Sequence, residues 1–368
     1  MYYSASKQEN DIMDERIEEH AKILVEWSTK IEEGDNVVIK AGEEAKELVI
    51  ALKKEIAKKG ANPVTLYSSN EANRAYFKNF EGEFETPEHV LAMMEKTDVL
   101  IGISSDPNLT AMSDVPGKLL AEYSKARKPI QEVQLSKRWC GTQHPTNAQA
   151  QMAGMSLEEY KDFVYNAILR DWQEVHDLQE QLKDKLNEGK EVYIKGPETE
   201  LTMNIDGMIA VNSDGDHNMP SGEVFTAPVV DSVEGEVLFD KPLMRQGKEI
   251  NGVKLKFENG EVVEYSAEQN EEALKDILET DDGAKRLGEL GIGTNRGIDV
   301  FTKNMLFDEK MGDTIHLALG RSYPYCVGED REQNESAVHV DMIKDRSEGV
   351  LKVDDKLIME NGKFFWEM

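Results

Sequence analysis

Two short runs near the end of this chain place imidazoles and a carboxylate where they can hold a cation. In Thr314-Ile315-His316-Leu317-Ala318-Leu319-Gly320, apolar Ile315, Leu317 and Leu319 alternate onto one face of a strand. His316 falls on the other face beside small Ala318 and Gly320, which leave room for a ligand. In Ser336-Ala337-Val338-His339-Val340-Asp341-Met342 the same period puts Val338, Val340 and Met342 on one side, with His339 and Asp341 together on the other. An imidazole and a carboxylate two residues apart on a strand can converge on one ion. Three glutamates sit among apolar and glycine residues: Glu223 in Met219-Pro220-Ser221-Gly222-Glu223-Val224-Phe225-Thr226, Glu289 in Glu289-Leu290-Gly291-Ile292-Gly293-Thr294-Asn295, and Glu309 in Leu306-Phe307-Asp308-Glu309-Lys310. A single glutamate of so acidic a chain is ordinarily solvated, and a single strand histidine is ordinarily structural, so the case rests on the set.

The elements that must position these residues follow from periodicity. The runs Asn36-Val37-Val38-Ile39-Lys40, Pro63-Val64-Thr65-Leu66-Tyr67 and Asp98-Val99-Leu100-Ile101-Gly102-Ile103-Ser104 read as strands, after an amphipathic stretch over 11–31. Between the first two, Ala45, Leu48, Val49, Leu52 and Ile56 repeat at helical spacing and Gly60 stops the helix. Strand, helix and strand in this order predict a mainly parallel sheet covered by helices, an α/β domain. No Gly-x-Gly-x-x-Gly follows the first strand and no Gly-Lys-Ser/Thr occurs, so this part reads as a scaffold or substrate wall. One long helix is expected over 157–186, opened by a capping box of Ser156 and Glu159. Strand character returns at Glu191-Val192-Tyr193-Ile194, placing the domain boundary at Gly189: an α/β domain over 1–189 and an α+β catalytic domain over 190–368, with hairpin turns such as Glu258-Asn259-Gly260-Glu261.

Composition narrows the partners. The chain has 368 residues, long enough for two domains with real cores, and Lys plus Arg 43 against Asp plus Glu 72 gives a net charge of -29. That balance argues against nucleic acid or an anionic membrane as a partner and predicts an acidic, self-repelling surface. Cys140 and Cys326 are the two cysteines, far apart and outside any metal-type spacing, so a reducing compartment is expected. Met1-Tyr2-Tyr3-Ser4 lacks a basic start and an apolar core segment, and no apolar run reaches membrane-spanning length, so the reading is a soluble cytoplasmic protein. His20, His89 and His176 read as surface residues, His217 as an exposed loop residue and His144 as structural. No His-Glu-x-x-His occurs, which removes the single-zinc helical protease from consideration.

The motifs around Glu223, Glu289, Glu309, His316 with the following Arg321-Ser322-Tyr323-Pro324, and His339 with Asp341 resemble, in order, those of the M29 metallo-aminopeptidases, typified by the thermophilic aminopeptidases. Arg138-Trp139-Cys140 and Ala153-Gly154-Met155-Ser156-Leu157-Glu158-Glu159-Tyr160 look similar too. The resemblance implies that Glu223, Glu289, Glu309, His316, His339 and Asp341 hold two divalent metals, with Tyr323 and Glu289 in catalytic roles. The Glu309 to His316 interval is longer than in the family pattern, with Asp308 and Asp313 beside it as substitutes. Four carboxylates and two neutral imidazoles balance two divalent cations, and mixed oxygen and nitrogen donors suit zinc, cobalt or manganese. Two-metal hydrolysis would then cut the peptide bond nearest a free N-terminal amine, with Asp341 or Glu289 bridging the ions and the Tyr323 O-H donating to the oxyanion. The resemblance also implies peptide substrates and a homodimer. The other readings are a different two-metal hydrolase, an amidohydrolase or phosphoesterase, and a non-catalytic α/β scaffold protein.

Overall fold

The structure is a computed structural model that describes residues 14–245 and 248–368. The opening Met1-Tyr2-Tyr3-Ser4 and the start of the 11–31 stretch lie outside the described residues. The chain divides into two compact units, Met1–Ala148 and Gln149–Met368.

The first unit is α/β. Its strands run in the order Asn62–Ser68, Asn36–Gly42, Val99–Ser104 and Arg138–Gln143, all parallel, in a register that pairs Val38 with Val64 and Leu100, and Ile101 with Cys140. The helix Lys46–Lys58 buries Leu48, Val49, Ala51, Leu52 and Ile56, the apolar stripe expected from the sequence. Gly60 then turns the chain at φ 75°, a conformation a side chain disfavours. His20 corrects the surface expectation. It is fully buried on the helix Glu15–Ile23, three residues after Ile17 and four before Leu24, and so lies on that helix's buried stripe. Its Nε2 lies 2.8 Å from Thr142 Oγ1.

The second unit holds antiparallel sheets. Among the described residues one has eight strands, with Glu191–Gly196, Thr199–Asn204, Glu234–Phe239 and Val253–Glu258 among them, another has five, and a third pairs Leu243–Arg245 with Lys248–Ile250. Their apolar faces share one core, in which Met203, Val237, Phe239 and Phe257 join Leu290, Ile292, Leu317 and Met342. The Asn259-Gly260 turn is made as expected, with both residues at positive φ and Glu258 paired with Glu261. The single helix expected over 157–186 is two, Leu157–Ile168 and Trp172–Glu188. Asp171 makes the break, because its side chain accepts from the Glu174 N-H at 3.1 Å and opens a new helix. The capping box of Ser156 and Glu159 is present at the first. Leu182 and Leu186 of the second helix enter the core of the sheets. That burial explains why residues 149–189 group with the second unit, although the change from helix to strand falls at Gly189. Among the described residues no helix is long and apolar enough to cross a membrane.

Candidate metal centre

The five-stranded sheet runs in the order His339–Asp345, Thr314–Gly320, Leu287–Gly293, Glu223–Thr226 and Val211–Ser213. Its register pairs Gly320 with His339, Ala318 with Asp341 and Glu289, His316 with Gly291, and Gly293 with Glu223. Partners in an antiparallel ladder project to the same face. Glu223, Glu289, His316, His339 and Asp341 therefore share one face, while the residues between them feed the core.

The five side chains form two groups with Glu289 in both. Glu223, Glu289 and His316 offer ligand atoms within 4.8 Å of one another, as do Glu289, His339 and Asp341. His316 Nε2 is 3.0 Å from Glu289 Oε1 and 3.5 Å from Glu223 Oε2. His339 Nε2 is 3.4 Å from Glu289 Oε2 and 3.3 Å from Asp341 Oδ1. Each imidazole is held from behind by a carbonyl: His316 Nδ1 donates to Glu309 O at 3.1 Å, and His339 Nδ1 to Arg321 O at 2.7 Å. These contacts fix the tautomer and aim both Nε2 atoms at the carboxylates, as ion-binding histidines require.

The electrostatics are those of crowded, buried acids. Burial pushes Glu223 up to about 7, against the opposing pull of the Lys310 charge, and it raises Glu289 as well. Burial disfavours charge on His316, but the Glu289 hydrogen bond and the Glu223 charge prevail and lift it to about 10. His339 rises to about 9 through Asp341, also against its burial. Both imidazoles therefore hold a second proton more firmly than a free imidazole does, and an ion must displace it.

The residues fit a divalent metal. Glu223 Oε2 and Glu289 Oε2 are buried and make no hydrogen bond. A Cβ at residue 291 would stand 1.9 Å from His316 Cε1 and Nε2, so only glycine admits the ring there. The donors are carboxylate oxygen and imidazole nitrogen, a set suited to a divalent metal rather than to one that selects thiolates.

Glu309 stands apart. Its carboxylate belongs to neither group and meets Lys310 Nζ, while its backbone carbonyl orients His316. Asp308 is buried and accepts from Thr302 N at 2.7 Å and Thr302 Oγ1 at 2.9 Å, which fixes a turn; burial pushes its carboxyl up to about 7. Asp308 and Asp313 both lie outside the two groups. Tyr323 is half-buried, its ring centroid 5.0 Å from that of His339, stacked on Tyr325 at 5.2 Å and edge-on to Phe225 at 5.9 Å. Burial raises the Tyr323 phenol above its ordinary value, so it remains a proton donor.

Two residues escaped the sequence reading. Lys310 is fully buried, with Nζ 3.5 Å from Glu223 Oε1 and against the Glu309 carboxylate; those two charges overcome burial and hold its proton. Gln179 is also fully buried and donates from Nε2 to Glu223 O at 2.8 Å, anchoring that strand to the helix Trp172–Glu188. A lysine beside an acid in sequence reads as a surface pair, and a polar residue on a charged helix reads as exposed. His89 and His217 are exposed and His144 is buried, as expected. His176 is half-buried rather than at the surface, its Nδ1 2.5 Å from Asp214 Oδ2.

The family described as thermophilic metalloprotease (M29) matches residues 13–364. The chain belongs to the M29 family. As a member it is a metallopeptidase, a hydrolase, and the relatives it matches are aminopeptidases. Aminopeptidase 2 of Geobacillus stearothermophilus is 30% identical to it, over 90% of this chain and 92% of that protein. Aminopeptidase T of Thermus aquaticus is 28% identical, over 96% and 97%. The solved structure of wild-type AmpT from Thermus thermophilus matches with a TM-score of 0.83 at 26% identity, over 95% of this chain and 99% of that one. The 2,5-dihydroxypyridine dioxygenase of Pseudomonas putida KT2440 shares the fold alone, at TM-score 0.60 and 13% identity over 95% of this chain and 96% of that one. The M29 assignment rests on the family match along the chain, not on the fold.

Proposed function

We propose that this M29 protein is an aminopeptidase that releases the N-terminal residue of peptides bearing a free amine, using two divalent ions. Glu223, Glu289 and His316 would hold one ion, and Glu289, His339 and Asp341 the other. The observation that carries the reading is Glu289, whose Oε1 faces His316 and whose Oε2 faces His339. Its two oxygens serve two separate nitrogen donors, which supports a role for Glu289 in holding both ions.

Bound ions would supply Lewis acidity at the scissile carbonyl and an acidified water. The chain's residues do the rest. With Glu309 offset by Lys310, three carboxylates face two dications, and the single remaining positive charge favours the negative charge that develops during hydrolysis. The Tyr323 O-H donates to the oxyanion. The backbone carbonyls of Glu309 and Arg321 keep His316 and His339 in place. Cys140 and Cys326 are buried thiols, which supports a reducing compartment, and with it the cytoplasmic reading. A homodimer completes the proposal.

The test is metal stoichiometry together with turnover of a free-amine peptide and its N-acetylated copy. Two ions per chain, loss of turnover on chelation and cleavage of the free-amine peptide alone are expected. Equal cleavage of both peptides would overturn the aminopeptidase reading, and turnover of phosphoesters in place of peptides would favour the other hydrolase class.

A further inference from the structure

Among the described residues Lys310 is the one ammonium in ion-pair contact with a member of the two ion-binding groups, and it touches only one group. Its Nζ lies 3.5 Å from Glu223 Oε1, while no lysine or arginine forms an ion pair with His339, Asp341 or Glu289 among the described residues. Full burial denies this ammonium water, so its charge must be met by Glu223 and Glu309.

We propose that Lys310 makes the two ion positions unequal, weakening the Glu223–Glu289–His316 position relative to the Glu289–His339–Asp341 position, so that the ions load in a fixed order. The inference rests on the two-ion reading above. Three effects act together on the first position, where the ammonium is in direct contact with Glu223, whereas its charge reaches Asp341 of the second only from farther away. The ammonium is itself a cation within reach of Glu223, so it repels an incoming dication at short range in a site that water does not screen. It competes for Glu223 Oε1. It also ties up the Glu309 carboxylate, the nearest further anion that could have joined the first position as a ligand. At the second position Asp341 and Glu289 both meet the His339 imidazole, and no ammonium is in ion-pair contact with either among the described residues. One ion therefore stays bound at concentrations where the other exchanges.

Calorimetric titration of the metal-free full chain with zinc or manganese tests this without reference to turnover. The wild type should bind in two steps at least tenfold apart in Kd. Lys310→Met should tighten the weaker step tenfold or more and leave the tighter one within about threefold. Lys310→Met combined with Glu309→Gln removes the buried pair as a unit, keeps net charge unchanged and should also tighten the weaker step, by less than the single variant because Glu309 can no longer join it, which covers the case in which an unpaired Glu309 disturbs folding. Glu223→Gln should abolish the weaker step and Asp341→Asn the tighter one. One ion in the wild type and two in Lys310→Met would be the extreme form of the same inequality. Two equal steps in the wild type, or an unchanged gap in both lysine variants, would overturn the inference alone. A single ion in every chain, the lysine variants included, would overturn the two-ion reading and this inference with it.

Discussion

Leu287 and Glu289 lie two residues apart on one strand yet face opposite sides of the sheet. Leu287 pairs with Leu319 and enters the core, whereas Glu289 pairs with Ala318 and joins the ion-binding face. A regular strand would put both on one side. The register slips between them, and Gly288 is the extra residue of that bulge. A Cβ at 288 would stand 2.2 Å from Gly320 O. Gly288→Ala should therefore displace Glu289, lowering metal affinity and activity about 10–100-fold as loss of a supporting contact does elsewhere. It should also cost about 1–3 kcal/mol in stability from overpacking. Metal content and urea midpoint on the same purified variant check both, and wild-type values for the two would show that the bulge tolerates a side chain.

Tyr323→Phe keeps the ring against His339, Tyr325 and Phe225 and removes the O-H alone. Two ions and a normal melting temperature should persist while kcat falls about 10²–10³-fold, the loss seen when an oxyanion donor is removed. A nearly unchanged kcat at full metal occupancy would reduce Tyr323 to a packed aromatic.

His20 gives a stability prediction with a definite sign. Burial, helped by neighbouring His144, lowers its pKa from 6.5 to about 3 in the folded chain. The unfolded chain takes up that proton first, so the contribution is complete above pH 6.5 and is lost as pH falls from there toward 3. His20→Gln should lessen the acid sensitivity by about 1.4 kcal/mol per pH unit below 6.5. Urea unfolding at pH 6.5 and 5.5 measures it; parallel losses in the two proteins would show that His20 does not titrate on unfolding.

Salt should stabilise the protein. A net charge of -29 repels itself in the compact state, and added potassium chloride screens that repulsion. The melting temperature should climb as the salt is raised from low ionic strength, and a flat or falling curve would contradict a dominant surface repulsion.

The sequence by itself determined which residue types sit on which strand face wherever the period is regular. The alternation over 314–320 and over 338–342 sent His316, His339 and Asp341 to one side because side chains on a strand alternate, and the structure keeps that arrangement. The same local rule produced the parallel sheet of the first unit and the Asn259-Gly260 turn. What is set between strands was not legible. The placement of Glu289 depends on a one-residue slip that no local period reveals, and the capture of Glu309 by Lys310 depends on a buried contact with Glu223 far away in the chain. His20 and Gln179 look like surface residues on charged helices until the packing of those helices buries them. Local propensity is a property of neighbours in sequence, whereas charge pairing, ion grouping and burial are set by neighbours in space, which only the tertiary fold decides.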